Sequence, residues 1–133
     1  MKNYRKAIVA VVEHEGKVLV GKKMKTKGHP LSEAWHIPGG SLEDNETEEQ
    51  GLIREVMEEA GIAIEVIKFF GETVVAETER VARWYLCRPL THALCPGDDL
   101  TDVKYIQKDD IHTVCSEKAN SLWPPEVAEY FNT

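Results

Sequence analysis

The sequence predicts a single α+β domain in which a mixed β-sheet packs with two helices. Three observations lead to this fold class. Short β-branched and apolar runs recur between turn residues, which is typical of strands. One longer segment, residues 47–60, has capping residues at both ends, as a helix does. The 133 residues match the size of one domain, so residues 1–133 are expected to share one core.

The strands are predicted from these apolar runs and the turns between them. Runs at 7–12 and 18–20 flank the turn sequence His14-Glu15-Gly16-Lys17 and predict a hairpin. A basic loop over 22–32 leads to a short strand over 34–37, which Pro38-Gly39-Gly40 stops; those glycines allow positive φ and the close approach of another group. Four further strands are expected, over 62–70, 72–75, 81–90 and 103–106, with a loop over 91–101.

Two helices complete the prediction. For the first, Thr47 or Asn45 can cap the start and Gly61 the end. For the second, over 126–131, Pro124-Pro125 suits the first turn because a proline there sacrifices no hydrogen bond. On a helical wheel the first helix has an apolar stripe that we expect to be buried, formed by Ile53, Val56, Met57 and Ala60.

The composition excludes several classes of protein. Hydrophobic residues make up 42% and charged residues 29%, which excludes low-complexity disorder. No apolar run approaches the ~20 residues of a membrane span, and the run at 7–12 is too short for a signal peptide. A net charge of -7 argues against binding a nucleic-acid polymer. An odd number of cysteines without a CxxC pair indicates no disulfide framework and fits a reducing cytoplasm; they are Cys87, Cys95 and Cys115.

Acidic residues are concentrated around the first helix. Eight of the 23 acids lie between Glu43 and Glu59, with Arg54 as the one base among them. Glu48, Glu55, Glu58 and Glu59 share one face. Glu55 lies three and four positions before Glu58 and Glu59, where like charges repel by about 0.2–0.5 kcal/mol per pair. This face is either simply solvated, or it forms with a backbone carbonyl an oxygen cage for Mg²⁺ or Mn²⁺, which prefer such hard ligands.

Residues 40–62 carry a recognisable motif. Gly40, five residues, Glu46, seven residues and then Arg54-Glu55-Val56-Met57-Glu58-Glu59-Ala60-Gly61-Ile62 resemble the Nudix box in every defining position. The preceding hairpin and Trp35-His36-Ile37-Pro38-Gly39-Gly40 are similar to the family's usual lead-in. The resemblance implies the Nudix fold, an α/β/α sandwich on a mixed sheet. It also implies a loop–helix–loop that binds divalent metal and hydrolyses a nucleoside diphosphate linked to another group.

The resemblance also implies roles for single residues. Glu55, Glu58 and Glu59 become the carboxylates that face Mg²⁺, or alternatively Mn²⁺, and which of them is the general base stays open. The Gly39 carbonyl becomes a further ligand. Arg54 is expected to pair with Glu46 and hold the loop, and Gly61 to cap the helix.

Several residues beyond the box are further candidates, each with a plainer alternative. Lys22 and Lys23 can contact phosphate or serve as solubilising charges. One acid from a later loop can join the site, although aspartate is also common in turns; the candidates are Asp98, Asp99 and Asp102. Aromatic residues can stack on a base or fill the core; the candidates are Trp35, Phe70, Trp84 and Tyr85.

The substrate is predicted from the same resemblance. The short chain, with neither proline nor tyrosine at 76–80, favours the MutT-like branch, which converts a (deoxy)nucleoside triphosphate to the monophosphate and pyrophosphate. Asn120 resembles the asparagine with which that branch reads a purine edge, or it caps a turn. Ser41 stands where some of these enzymes have lysine. The alternatives are an ADP-ribose, nucleotide-sugar or dinucleoside polyphosphate hydrolase, and a nucleotide-sensing module without turnover. The expected partner is a small nucleotide, and a homodimer stays open.

Overall fold

The structure, a computed structural model, describes residues 4–132, so residues 1–3 and 133 of the expected domain lie outside the described part. Within that range the strands are β1 (Arg5–His14), β2 (Lys17–Lys23), β3 (Trp35–His36), β4 (Gly39–Ser41), β5 (Ile64–Val75), β6 (Arg80–Pro89) and β7 (Leu100–Gln107). The helices are α1 (Glu48–Ala60), α2 (Ile111–Val114), α3 (Glu117–Asn120) and α4 (Pro125–Phe131).

The strands form one mixed sheet, as predicted. Its order is β3-β2-β1-β6-β5, with β4 added to β1 and β7 to β2. β1 and β6 run parallel, whereas the other pairs are antiparallel. The predicted hairpin of β1 and β2 is confirmed, because Glu13 pairs with Val18 and His14 with Lys17. Glu15 and Gly16 turn the chain there with φ of 52° and 79°.

The central strand β1 is buried on both faces and separates two core layers. Ile8, Ala10 and Val12 point towards α1, where they pack with residues such as Leu52 and Val56. Val11 points to the opposite face, whose layer also holds Trp84, Ile111, Val127 and Phe131. Helices therefore cover both faces of the sheet, and the expected α/β/α sandwich is confirmed.

The buried stripe of α1 differs from the one predicted. Val56 and Ala60 are buried as expected, but Ile53 and Met57 are 39% and 47% exposed. The helix instead turns Leu52 and the acidic side chains of Glu55 and Glu59 inwards. The prediction was wrong because a pattern of apolar residues treats every glutamate as solvated, whereas two glutamates of this helix are buried.

Three smaller differences concern irregular segments. Gly39 and Gly40 form β4 against β1 rather than a turn, and neither is among the positive-φ glycines of the described residues. The two strands expected over 62–70 and 72–75 are the single strand β5, interrupted by register shifts opposite β6. The short helices α2 and α3 were not predicted. Among the described residues, no helix is long and apolar enough to cross a membrane.

Candidate active site

The position of α1 is fixed by caps at both ends. Thr47 and Gln50 form a capping box, in which the Gln50 N–H donates to the Thr47 Oγ1 at 3.1 Å and the Thr47 N–H donates to the Gln50 Oε1 at 2.9 Å. Gly61 ends the helix with φ of 73°, and its N–H donates to the Met57 carbonyl at 3.0 Å. Both predicted caps are confirmed. Because Glu55 and Glu59 are four residues apart in this helix, their side chains lie on one face.

Strand β4 packs directly against these two glutamates. The Gly39 N–H donates to the Glu59 Oε1 at 3.1 Å. A Cβ on Gly40 would lie 2.5 Å from the Glu55 carboxyl group, and one on Gly39 would collide with the Ile8 carbonyl oxygen. The two glycines are therefore needed for close approach, as the sequence predicted, and not for positive φ. Ligation by the Gly39 carbonyl stays a prediction.

Three carboxylates meet at this place. One oxygen from each of Glu55, Glu59 and Asp98 lies within 4.8 Å of the other two. We call these residues the carboxylate trio. Glu55 is 8% and Glu59 2% exposed, whereas Asp98 belongs to an exposed loop. A set of hard oxygen donors of this size fits a Mg²⁺ or Mn²⁺ ion.

The electrostatics of the trio agree with that fit. Burial raises the pKa of Glu59 to about 9, and the nearby charges of Glu55 and Asp99 add to the effect. Burial also raises the pKa of Glu55, against the opposing effect of the Arg54 guanidinium. Carboxylates buried side by side resist ionisation unless a cation stands between them. Once ionised, the carboxylates of the trio thus have the negative charge and the oxygen donors that a divalent cation requires.

Glu58 lies outside the trio. Its side chain is 46% exposed, and its Oε2 accepts a hydrogen bond from the Arg54 Nη1 at 3.4 Å. Glu48, which the helical wheel placed on the same face, instead accepts hydrogen bonds from Arg83 and Tyr85. The structure therefore brings together two of the three glutamates predicted to face the metal, and it adds Asp98.

Arg54 ties the loop before α1 to the helix. Its Nε donates to the Glu46 Oε2 at 2.7 Å and its Nη2 to the Glu46 Oε1 at 2.9 Å, so the predicted pair is bidentate. The Arg54 Nη2 also donates to the Ser41 carbonyl at 3.1 Å, and its Nη1 to the Glu55 Oε1 at 2.9 Å. The hydrogen bonds from Arg54 lower the pKa of Glu46 to about 2. Arg54 thereby holds the loop and orients one member of the trio.

The other candidates from the later loop have different positions. Asp99 pairs with Lys23, with 2.5 Å between the Asp99 Oδ2 and the Lys23 Nζ. Burial, the largest single effect, raises the pKa of Asp99, but the hydrogen bond from Lys23, the positive charge of Lys23 and smaller effects together outweigh it, and the net shift is downwards. Asp102 turns away, since its Oδ1 accepts from the Val103 N–H at 2.8 Å. Lys22 lies in β2 opposite Asp102 in the register with β7.

A cleft of about 780 Å³ extends from the trio. Lys23 and His36 line its walls near the carboxylates, and burial lowers the pKa of His36. Among the other residues that line it are Trp84, Asn120, Leu122 and Trp123. One cleft is therefore lined both by the acidic trio and by apolar and aromatic side chains.

Two residues that line the cleft have a buried polar atom without a hydrogen-bond partner among the described residues. The Asn120 Nδ2 donates to the Cys115 carbonyl at 3.5 Å, whereas its Oδ1 is buried with no partner among the described residues. The Trp84 Nε1 is also buried and has no hydrogen-bond partner among the described residues. His36 was not among the predicted site residues, because its spacing fits no metal site, although it belongs to the segment that leads into the motif.

Of the four aromatic candidates, Trp84 is the one that lines the cleft. Trp35 lies under the Lys104 ammonium, 4.4 Å from the ring centroid. Tyr85 binds Glu48, as described above, and Phe70 packs against Tyr130 with 5.1 Å between ring centroids. A period-two strand pattern assigns such residues to a face of the sheet, but it does not say which face has the cleft.

Comparison with known proteins gives a family match over almost the whole chain. The family model described as NUDIX domain matches residues 3–129. A MutT-like protein of Streptomyces ambofaciens is 38% identical over 79 residues, which cover 58% of this chain and 50% of the relative. The ADP-ribose pyrophosphatase of Methanocaldococcus jannaschii is 32% identical over 111 residues, covering 79% of this chain and 63% of the relative.

A solved structure shows the same fold at lower identity. The NUDIX hydrolase from Nitrosomonas europaea superposes with a TM-score of 0.83 and 22% sequence identity, covering 99% of this chain and 72% of that one. The chain spans half or less of the length of the first curated relatives that it matches.

Proposed function

Because the chain belongs to the NUDIX domain family, we propose that it hydrolyses a pyrophosphate bond in a nucleoside di- or triphosphate derivative with the help of Mg²⁺, or alternatively Mn²⁺. The observation that carries this proposal is a cleft that is lined by the carboxylate trio and also by Trp84 and Asn120. A nucleotide has the matching parts: a charged phosphate chain at one end and a flat base at the other.

The carboxylates must act through a cation, because an acidic site alone would repel a polyphosphate. A bound divalent ion would neutralise the phosphate oxygens and lower the pKa of a coordinated water. Glu55, Glu59 and Asp98 would hold that ion, and Arg54 keeps Glu55 oriented through its 2.9 Å hydrogen bond. Lys23 lines the same cleft and is available to contact phosphate, although it also pairs with Asp99.

The reaction needs one proton acceptor from the protein. Water adds its oxygen to phosphorus, the bridging P–O bond breaks, and the electron pair leaves with the departing phosphate group. The proton lost by the water goes to a carboxylate oxygen of the site. Glu55, Glu58 and Glu59 are the candidates, and Glu58 differs from the other two in being half exposed.

For the substrate we propose a (deoxy)nucleoside triphosphate that is cleaved to the monophosphate and pyrophosphate. The likeness to a MutT-like protein supports this choice. ADP-ribose or another nucleotide sugar is the second candidate, since a relative that covers 79% of the chain is named an ADP-ribose pyrophosphatase. A module without turnover is the third, but a sensing module has no physical need for buried carboxylates that repel each other.

A panel assay tests these choices. Purified protein is incubated with Mg²⁺ and each of the common nucleoside triphosphates, ADP-ribose, a nucleotide sugar and a dinucleoside polyphosphate, and the products are separated by ion-exchange chromatography. We expect monophosphate and pyrophosphate from a triphosphate, and loss of that activity in Glu59→Gln. Glu49→Gln is the matched control, because it makes the same change at an exposed position of α1. No turnover of any compound would refute the enzyme proposal.

The proposal also covers the cellular compartment and the oligomeric state of the protein. We infer that the protein works in the reducing cytoplasm, since Cys87, Cys95 and Cys115 are all free. A homodimer is proposed through the edge strand β5, which exposes Ile67, Phe69 and Val74. Light scattering coupled to size exclusion measures the mass and distinguishes the dimer from the monomer.

A further inference from the structure

The loop before β7 packs against the C-terminal end of α1. The Cys95 N–H donates to the Ala60 carbonyl at 2.9 Å, and the Gly97 N–H donates to the Glu59 carbonyl at 3.1 Å. The last carbonyls of a helix have no partners within the helix itself. The loop supplies two donors for them, and both bonds are made by backbone atoms.

Gly97 allows this contact because it has no side chain. A Cβ at residue 97 would collide with the Glu58 carbonyl oxygen, which belongs to the backbone of α1 and cannot turn aside as a side chain would. Any other residue would therefore hold the loop away from the helix. The next residue is Asp98, the member of the carboxylate trio that does not come from α1.

The loop is held on its other side as well. The Leu100 N–H donates to the Gly97 carbonyl at 3.0 Å and closes a turn in which Asp98 has φ of 53°. The Met24 N–H donates to the Asp99 carbonyl at 2.8 Å. Asp98 therefore lies between an attachment to α1 and an attachment to the end of β2, in a left-handed conformation that aspartate tolerates better than most residues.

We propose that Gly97 is a positioning residue that sets the distance of the Asp98 carboxylate from Glu55 and Glu59, and through it the affinity for the divalent cation. The inference rests on the proposed function only in that the trio binds such an ion. Glu55 and Glu59 are fixed by α1, so a displacement of the loop moves Asp98 alone. Changes outside the ligands that shift one ligand of a metal site weaken binding by about 10–100-fold.

The test measures binding of Mn²⁺ alone, by calorimetry and by the electron paramagnetic resonance signal of the free ion, without any nucleotide. Gly97→Ala is expected to weaken Mn²⁺ binding about tenfold or more. Ala93→Ser is the matched control, because it adds one atom at an exposed position of the same loop and should bind as the original protein does. Unchanged binding in Gly97→Ala would overturn the inference.

A double mutant separates positioning from a general effect on α1. If Gly97 acts through Asp98, adding Gly97→Ala to Asp98→Asn should not weaken binding further. If Gly97→Ala weakens Mn²⁺ binding by the same factor in Asp98→Asn as in the original protein, Gly97 acts through the helix, and the inference would be overturned. If Gly97→Ala does not fold, a glycine inserted between Gly97 and Asp98 keeps both backbone bonds and releases Asp98; it should weaken binding similarly, and unchanged binding would overturn the inference.

The outcome is independent of the enzyme assay. Mn²⁺ binding that depends on Gly97, in a protein that hydrolyses no nucleotide, would support the positioning role and refute the proposed function. If the protein hydrolyses a nucleotide and Gly97→Ala leaves Mn²⁺ binding unchanged, the proposed function would be supported and the positioning role refuted.

Discussion

Gly40 and the carboxyl group of Glu55 are so close that a Cβ on residue 40 would lie 2.5 Å from the Glu55 Cδ and both of its oxygens. The missing side chain of Gly40 is therefore what allows Glu55 to be buried between α1 and β4. Arg54 binds the same carboxyl group and also Glu46. Gly40 and Arg54 thus both lie against the Glu55 carboxylate, and Arg54 links it to the loop acid Glu46.

The first prediction concerns metal and stability. Only the folded chain brings Glu55, Glu59 and Asp98 together, so Mg²⁺ or Mn²⁺ should bind the folded state and raise the melting temperature. A ligand that binds only the folded state at 100 times its dissociation constant adds about 2.7 kcal/mol to the free energy of unfolding. Melting curves with EDTA and with increasing Mn²⁺ measure the effect. Curves that do not respond to Mn²⁺ would count against the trio as a metal site.

The second prediction separates the roles of the glutamates. Glu59→Gln should weaken Mn²⁺ binding and reduce turnover by orders of magnitude, because it removes a charge from the trio but almost no volume. Glu58→Gln should leave Mn²⁺ binding nearly unchanged, because Glu58 is half exposed and lies outside the trio. If its turnover still falls by orders of magnitude at saturating Mn²⁺, Glu58 is the proton acceptor; normal turnover would remove it from the mechanism.

The third prediction follows from the pKa of Glu46, which Arg54 lowers from 4.5 to about 2. A carboxyl group whose pKa is lower in the folded state stabilises the fold above pH 4.5, and that contribution is lost as the pH falls towards 2. Glu46→Gln should therefore be less stable than the original protein at pH 7, and the difference should vanish near pH 2. Urea unfolding across this range in EDTA measures it.

Glu43→Gln is the control for that experiment. Glu43 lies 3.7 Å from the Arg54 Nε, but its side chain is 66% exposed. Exposed ion pairs contribute little to stability. A pH-dependent difference as large for Glu43→Gln as for Glu46→Gln would show that the bidentate pair has no special role.

The fourth prediction concerns Asn120. If its amide reads a purine edge, Asn120→Ala should lose roughly 1–3 kcal/mol of discrimination between GTP and CTP, seen as a lower kcat/KM for GTP. Its Oδ1 is buried and unpartnered, so reading a base requires the amide to turn into the cleft. If Asn120 only stabilises the turn after α3, the variant should lose ~1 kcal/mol of stability and treat both substrates alike. That second result would exclude the reading role.

The fifth prediction concerns the three thiols. Burial raises the pKa of Cys87 and of Cys115 to about 12, so both should resist alkylation by iodoacetamide at pH 8. Cys95 is exposed and should react. Mass spectrometry of the folded protein should find one modified cysteine, and the unfolded protein three. Modification of Cys87 before unfolding would contradict the described packing.

Local signals predicted the local features of this fold. The hairpin turn at Glu15-Gly16 and the caps Thr47 and Gly61 depend on residues within a few positions of each other. The pair of Arg54 with Glu46, eight positions apart, was implied by the resemblance to a known motif. The stripe of α1 was misplaced because burial of Glu55 and Glu59 depends on β4 and on the loop before β7, which no periodicity within the helix contains.

Contacts between distant segments also explain why Asp98, and not Asp99 or Asp102, belongs to the carboxylate trio. All three were candidates, but the contact of Gly97 with the end of α1 decides which of them faces Glu55. Lys23 and Asp99 are 76 positions apart, and only the pairing of β2 with β7 brings them together. Contacts between distant segments are set by the whole fold and cannot be obtained from spacing along the chain.

The parallel pairing of β1 with β6 has a consequence for how the protein is made. Each pair in this register joins residues 75 positions apart, from Arg5 with Arg80 to Val12 with Cys87. At about 5–20 residues per second, a ribosome needs about 4–15 s to synthesise the intervening chain. During that interval β1 can pair with β2 and β4, but its other edge stays open to any extended segment nearby. Contacts between residues so far apart in the sequence also slow folding after the chain leaves the ribosome. We therefore expect nascent chains to aggregate or to bind a chaperone at this edge of β1.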